Sequence, residues 1–368
     1  MIRFFLLTSV LFTITACINQ KSTENNPSSP NNGFEIQEKT IHTNPSILSL
    51  QAYALVDYCH KNNSMYAYNF KEHAIDVLDL NNDTVSQYIK LEPEGPNGIM
   101  RDIRKLQVYA PDTIIIYDFA AIKMINNNGT INFKIELPEN GWNRIDRNTR
   151  SNISDFKIDF NNSSILYPIK NKEQNEIIEY NFENKKITNH FKLNNPVNNG
   201  YYGYMDFPNV KFYQNLIIYN YPFEADIYIL DRINNSTRKI TPKSKFTDYK
   251  TPKYEGNSDE DLNWYGAENY YHSPLYFLPG KDCFVQFTLG ASSYDKSHNI
   301  DKAYHDRPIY IMTFDKNLNV IGEFEISRHK YNTFAGGFPL YDSMAFFQDN
   351  MLNKQNPEDI TFDFISPI

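Results

Sequence analysis

The chain has little cysteine, little glycine and no excess of basic charge. Three cysteines in 368 residues, Cys17, Cys59 and Cys283, are too few for a disulfide-built scaffold. Cys59 and Cys283 lie in apolar, strand-like settings, LVDYCHK and KDCFVQF. An exported chain permits a bridge between them, but two isolated cysteines of this kind are expected as separate buried side chains. The glycine-dependent signatures are missing: there is no G-x-G-x-x-G, no P-loop and no G-x-S-x-G, and H-E-x-x-H is absent too. A formal net charge of −8 repels a duplex on average, so nucleic acid is not an expected partner. No apolar run approaches the ~20 residues that span a bilayer.

The N-terminus carries a shorter signal. Arg3 precedes a mostly apolar stretch from Phe4 to Ile14, the pattern of a secretory h-region. It ends Ile14-Thr15-Ala16-Cys17, which resembles a bacterial lipobox. That resemblance implies cleavage before Cys17 and lipidation of its thiol and new amino terminus. Each buried CH₂ contributes ~0.8 kcal/mol, so two or more acyl chains hold firmly where one does not. Residues 1–16 are therefore expected as a lipoprotein signal peptide. Residues 17–33, dominated by Asn, Ser and Pro, are expected as a flexible tether, and 34–368 as the folded domain. Ile18 is not the Asp that retains some lipoproteins at an inner membrane. The outer membrane is thus the expected location, with the side it faces left open.

What the chain has in abundance is aromatic: 27 Tyr and 26 Phe. Such residues suit pleated, half-buried surfaces, while frequent Asn pairs suit turns. A phrase recurs: apolar strand, second strand ending in Asp or Asn, polar turn, third strand. MYAYNF, AIDVLDLNND and TVSQYIKLE form one copy, and NLIIYNY, ADIYILDRINN and STRKITP another. The punctuating residues are Asp79, Asn126, Asn181, Asp231, Asp315 and Asp363. Four of the five intervals are close to about 50 residues, and the fifth, from Asp231 to Asp315, holds two polar insertions. Within strands the alternation has period two. The pattern predicts an all-β fold: a single six-bladed β-propeller of four-stranded antiparallel blades. IRKLQVYA, ISDFKIDF and PNVKFY would be first strands. The sixth copy ends without a fourth strand, so FEIQEKTI, Phe34 to Ile41, is expected to complete the last blade and avoid an open edge.

The lipobox, the tether and phrases such as AIDVLDL…KLEPEGPNGI resemble an uncharacterised Bacteroidota lipoprotein family of six-bladed propellers. The resemblance covers nearly the whole mature chain and implies fold and envelope location. The family brings no activity and no site residues.

Candidate sites come from the insertions and the aromatic clusters. Asn257, Asp259, Asp261 and Asn263 offer oxygen at alternate positions, with Glu268 at the twelfth, a set that suits Ca²⁺. Leu262 takes the position where such a loop needs Gly, so a solvated acidic loop is expected, no cofactor is expected, and Ca²⁺ is the alternative. His298, Asp301 and His305 would share a helical face for a transition metal, but nothing in the sequence pins a helix there. Trp264, Tyr265, Tyr270, Tyr271 and His272, and Tyr202 in the chain's other aromatic cluster, suit stacking on a sugar or anchoring a partner. Trp264, in an otherwise polar loop, is expected at the centre of that surface. The expected function is a lipid-anchored binding or scaffold module for a glycan, peptide or envelope protein. The alternative is a propeller enzyme, a polysaccharide lyase or hydrolase, with its active site on the axis.

Overall fold

A computed structural model describes residues 33–43, 50–118, 121–138, 155–171, 174–197, 201–248, 250–352 and 359–368. All lie in one compact unit, Asn32–Ile368. Cys17 and the tether fall outside the described residues.

The fold is all-β, a propeller-like arrangement of four-stranded antiparallel sheets. In chain order, β1 (Phe34–His42) precedes the meander β2 (Val56–Cys59), β3 (Ser64–Asn69), β4 (Ala74–Asp79) and β5 (Thr84–Lys90). The next sheet is β6 (Lys105–Ala110), β7 (Thr113–Tyr117), β8 (Ile122–Ile125) and β9 (Ile131–Ile135). Then come β10 (Lys157–Asp159), β11 (Ser164–Asn171), β12 (Gln174–Asn181) and β13 (Lys186–Lys192). The fourth group is β14 (Asn209–Tyr213), β15 (Leu216–Asn220), β16 (Ile227–Asp231) and β17 (Ser236–Ile240). Helix α1 (Asp259–Glu268) leads to β18 (Tyr271–His272), β19 (Tyr276–Leu278) and β20 (Cys283–Leu289). Helix α2 (Ile300–Asp306) precedes β21 (Ile309–Phe314) and β22 (Val320–Ile326), and β23 (Gly337–Pro339), β24 (Met344–Phe347) and β25 (Asp359–Pro367) finish the chain.

Both β18 and β19 pair with β20, so they are one first strand interrupted at Ser273-Pro274. Pro274 has no N–H for the ladder. Ser273 spans the gap instead: the Phe287 N–H donates to its hydroxyl and the Gln286 amide to its carbonyl.

The count of sheets differs from six. Four sheets stand alone, and the remaining eight strands form one sheet in the order β2-β3-β4-β5-β1-β25-β24-β23. Its two halves meet through a single parallel pair, His42 with Thr84. The cause is β1: it pairs with β25 over its whole length, from Phe34 opposite Pro367 to His42 opposite Asp359, and its last residue reaches the outermost strand of the first meander. Phe34 and Ile41 are buried in two separate apolar clusters. At ~1.5–3 kcal/mol per buried large apolar side chain, β1 is a strong clasp between the two ends of the domain.

Neighbouring sheets cover both faces of the middle strands, so β3, β20 and β24 are buried throughout, whereas β13 and β17 are mostly exposed. The turn residues explain the repeat. Asp79, Asn126, Asn181, Asp231 and Asp315 each accept backbone N–H groups two to four residues on, closing the outer hairpins. The left-handed position follows them, and it is seldom Asn: it is Asp83, Gly129, Lys185, Asn235 or Leu318. Asp363 does not belong to this series. It is buried within β25 and accepts from Tyr331, Gln348 and Lys330. Cys59 and Cys283 are free, buried and in different apolar clusters.

Candidate functional site

First strands β2, β6, β14, β18–β19 and β23 converge on a cavity of about 640 Å³, within the range of small-molecule sites. Helices α1 and α2 cap part of it. Helix α1 starts at Ser258, whose hydroxyl accepts from the Asp261 N–H, and Asp259, Glu260 and Asp261 in its first turn complement the helix dipole. Helix α2 starts at Asn299, which accepts from the Asp301 N–H. The two pack through Trp264, Ala267 and Ala303. They come close at Gly266, where a Cβ would sit 2.5 Å from the Tyr304 hydroxyl.

This arrangement revises several sequence expectations. Trp264 is 2 % exposed: it is the apolar pin between the helices, not the centre of an open surface. Tyr265, Tyr271 and Tyr202 do line the cavity. Tyr202 stacks on Phe223 at 3.9 Å, and the Tyr265 hydroxyl donates to the Pro252 carbonyl. Tyr270 is half-buried, and His272 is buried with Nδ1 2.9 Å from the Thr288 hydroxyl. Burial lowers the His272 pKa to about 4. The proposed Ca²⁺ residues Asn257, Asp259, Asp261, Asn263 and Glu268 do not form a loop, because α1 runs through most of them. Asp261 is engaged by Lys296, Ser258 and the Asn257 N–H. The second insertion is helical after all, pinned by Trp264, but His298 precedes the helix and pairs with Asp295 while His305 is buried. Among the described residues no group of three or more His, Cys, Asp or Glu is placed to hold a metal.

Two charged regions on or beside the cavity wall escaped the sequence reading. In the first, Lys105 on β6 and Lys211 on β14 both grip Asp155, at 3.1 and 2.9 Å. Gln107 adds a donor to the same carboxylate at 2.9 Å. Burial alone would raise the Asp155 pKa, but the two lysines overcome it and hold the carboxyl well below the usual range. Lys211 also sits 5.2 Å from the Tyr276 ring centre, and burial pushes the Tyr276 phenol up to about 12. Asp57 on β2 accepts from the Val108 N–H at 2.6 Å, and burial raises its pKa despite that bond and the lysines. The second region is Arg307, 4 % exposed, directly after α2. Its Nε donates to the Gly290 carbonyl, and its Nη2 to those of Asn269 and Leu289. The adjacent carboxylate, Asp306, is taken up by Ser292, Ser293 and His329. Beyond Arg307, Tyr304 and the 56 %-exposed Phe334 lie 5.0 Å apart at the cavity wall.

The sequence carried a usable signal for the first region. Lys105 and Lys211 are charges inside the very segments read as first strands, IRKLQVYA and PNVKFY, and first strands face the axis. Arg307 and Phe334 had no such marker, because they lie between elements.

Residues 32–325 match the family profile DUF4221, a domain of unknown function. A solved DUF4221 member from Bacteroides vulgatus superposes with a TM-score of 0.72 at 13% identity, covering 92% of this chain and 99% of that one. An exported protein, so described, from Bacteroides fragilis gives a TM-score of 0.54 at 12% identity, covering 91% and 95%. At these identities the likeness is one of fold. No curated protein sequence matches the chain.

Proposed function

This chain belongs to the DUF4221 family, and we propose that it is a lipid-anchored envelope protein whose propeller captures a ligand in the axial cavity. We count the eight-stranded sheet as two blades, since one parallel pair, His42–Thr84, joins its halves in the ladder; that reading gives six blades. The lipobox ending in Cys17 supports the anchor, and the exported character given for the similar Bacteroides fragilis protein fits it. Among the described residues no helix is long and apolar enough to cross a membrane. The outer membrane is the location this reading assigns.

The cavity carries the reading. It is largely apolar, it gathers Tyr202, Tyr265, Tyr271, Tyr276 and Tyr304, and it places a few polar groups among them, the composition that recognises one ligand rather than a broad partner surface. A volume of about 640 Å³ fits a small molecule, or the end of a glycan or peptide chain, better than a folded partner. Equilibrium dialysis of envelope extract against the full-length protein tests it. Ala335 lines the cavity and is half-buried, so Ala335→Trp fills the space; it also packs against the cluster around Phe338 and Phe347, so the melt serves as the control for folding. Material retained by the wild type and lost at least tenfold in Ala335→Trp, with an unchanged melt, is the expected result; equal retention refutes it.

One observation favours the enzyme alternative: Asp57 is a cavity carboxyl with raised proton affinity beside two lysines, a pattern active sites use. Turnover of a retained polysaccharide that stops in Asp57→Asn would establish that reading instead.

A further inference from the structure

We propose that Arg307 is the anchor of this cavity and that its ligand is a small carboxylate with an apolar, ring-bearing body. The inference rests on the cavity being a binding site and adds what enters it.

Three features of Arg307 carry the argument. The guanidinium is buried, yet all its hydrogen bonds go to neutral carbonyls and none to a carboxylate. A buried cation without a counter-charge is costly, and natural folds retain one where something else supplies the anion. Asp306 is the nearest acid in sequence, and its two oxygens are already occupied. Second, the carbonyls account for the single Nε–H and both Nη2 hydrogens. Nη1 keeps two N–H groups with no partner among the described residues, and it is not one of the sealed atoms that lack a bond. Arg307 lines the cavity, so this is the edge offered to a ligand. Third, the group is immobile. Its carbonyl partners come from the C-cap of α1 and the end of β20, so no rotamer freedom is lost on binding.

The free edge defines the chemistry. One nitrogen with two donors suits one or two oxygens of a carboxylate; the wider fork that would grip a phosphate on several sides is already consumed. Around it the wall is mainly aromatic and aliphatic, with Tyr271, Tyr304, Phe334, Leu289 and Ile300; Asn263, Thr333 and the exposed Asp301 are its polar members. A hydroxyl-rich ligand would find only these few polar partners for its many groups, whereas a ring would stack. Phe334 already meets Tyr304 and His305 but remains more than half exposed, which leaves ring surface at the wall for that stacking.

The test uses 3-phenylpropionate and its neutral isostere 3-phenylpropionamide, with a galacturonate trimer as the acidic-sugar arm, by calorimetry on the full-length protein. The acid should bind at least tenfold more tightly than the amide in the wild type, a comparison that needs no variant. Arg307→Met should bring the two ligands within twofold of each other. Phe334→Ala, at an exposed position safe for folding, should weaken both alike. Equal binding of acid and amide overturns the carboxylate assignment while leaving the cavity reading intact. Failure of both small ligands also overturns it, as does preferential binding of the galacturonate trimer; loss of that trimer in Ala335→Trp would still place a ligand in the cavity.

Discussion

Two charged regions on or beside the cavity wall face opposite fates. Lys105, Lys211 and Asp155 are matched to one another, two cations around a shared carboxylate, and so tie β6, β14 and the segment before β10 together. Arg307 is held just as firmly, but by three carbonyls and the face of the Tyr304 ring, with no carboxylate. The difference separates charges that build the fold from a charge kept in reserve. Matched charges satisfy each other and leave a ligand little to gain. An unmatched one is a standing cost that a bound anion relieves.

The predictions break this comparison at successive levels. Deleting Phe34–Ile41 removes the frame that both regions share, including the buried Phe34 and Ile41 and the full β1–β25 ladder. The loss is expected to exceed about 5 kcal/mol, a large part of a typical domain's stability, and to appear in urea titration as a collapsed midpoint. Trp264→Ala acts on the Arg307 side only, since Trp264 joins α1 to α2. It should cost about 4 kcal/mol as a cavity mutation in the core, with the far lysine cluster intact. Asp155→Ala acts on the other side and leaves two lysines facing each other. The cost should be about 3 kcal/mol, at the low end for a broken buried pair because both lysines retain some solvent. It should leave the acid-over-amide preference at Arg307 unchanged.

The smallest effect sharpens the comparison through pH. His272, next to the cavity residue Tyr271, stays neutral when folded because burial lowers its pKa to about 4, against 6.5 unperturbed. Above the unfolded value it contributes no pH dependence. As pH falls from 6.5 towards 4 the unfolded chain takes up a proton that the folded chain refuses, so stability declines. The expected loss between pH 7 and 4 is about 2–3 kcal/mol. It should be missing in His272→Gln, measured as the difference between the two proteins' urea midpoints at each pH.

Much of the fold was legible because each blade repeats a physical device. Asp79, Asn126, Asn181, Asp231 and Asp315 close turns with their side chains, so the chain announces its hairpins. The unmatched strand Phe34–Ile41 betrayed its role by having no neighbours of its own. The helices were missed although Ser258 and Asp261 stand at capping distance, because alternating oxygen donors in the same stretch suggested a metal loop. Trp264 was misplaced for a related reason. Most of its apolar cluster, Ala303, Tyr294, Ile300 and Tyr304, lies on the other insertion, so nothing local showed that the ring would be covered. Arg307 was illegible altogether: what distinguishes it is which carbonyls surround it, a property of tertiary structure alone.

The most direct measurement is a crystal structure of the protein with 3-phenylpropionate bound. The account predicts a carboxylate oxygen at about 2.7–2.9 Å from Arg307 Nη1, with the ring against Tyr304 and Phe334 and the Lys105–Asp155–Lys211 cluster undisturbed. A carboxylate seated instead on Lys105 and Lys211 in place of Asp155, or an empty cavity at saturating ligand, would contradict it.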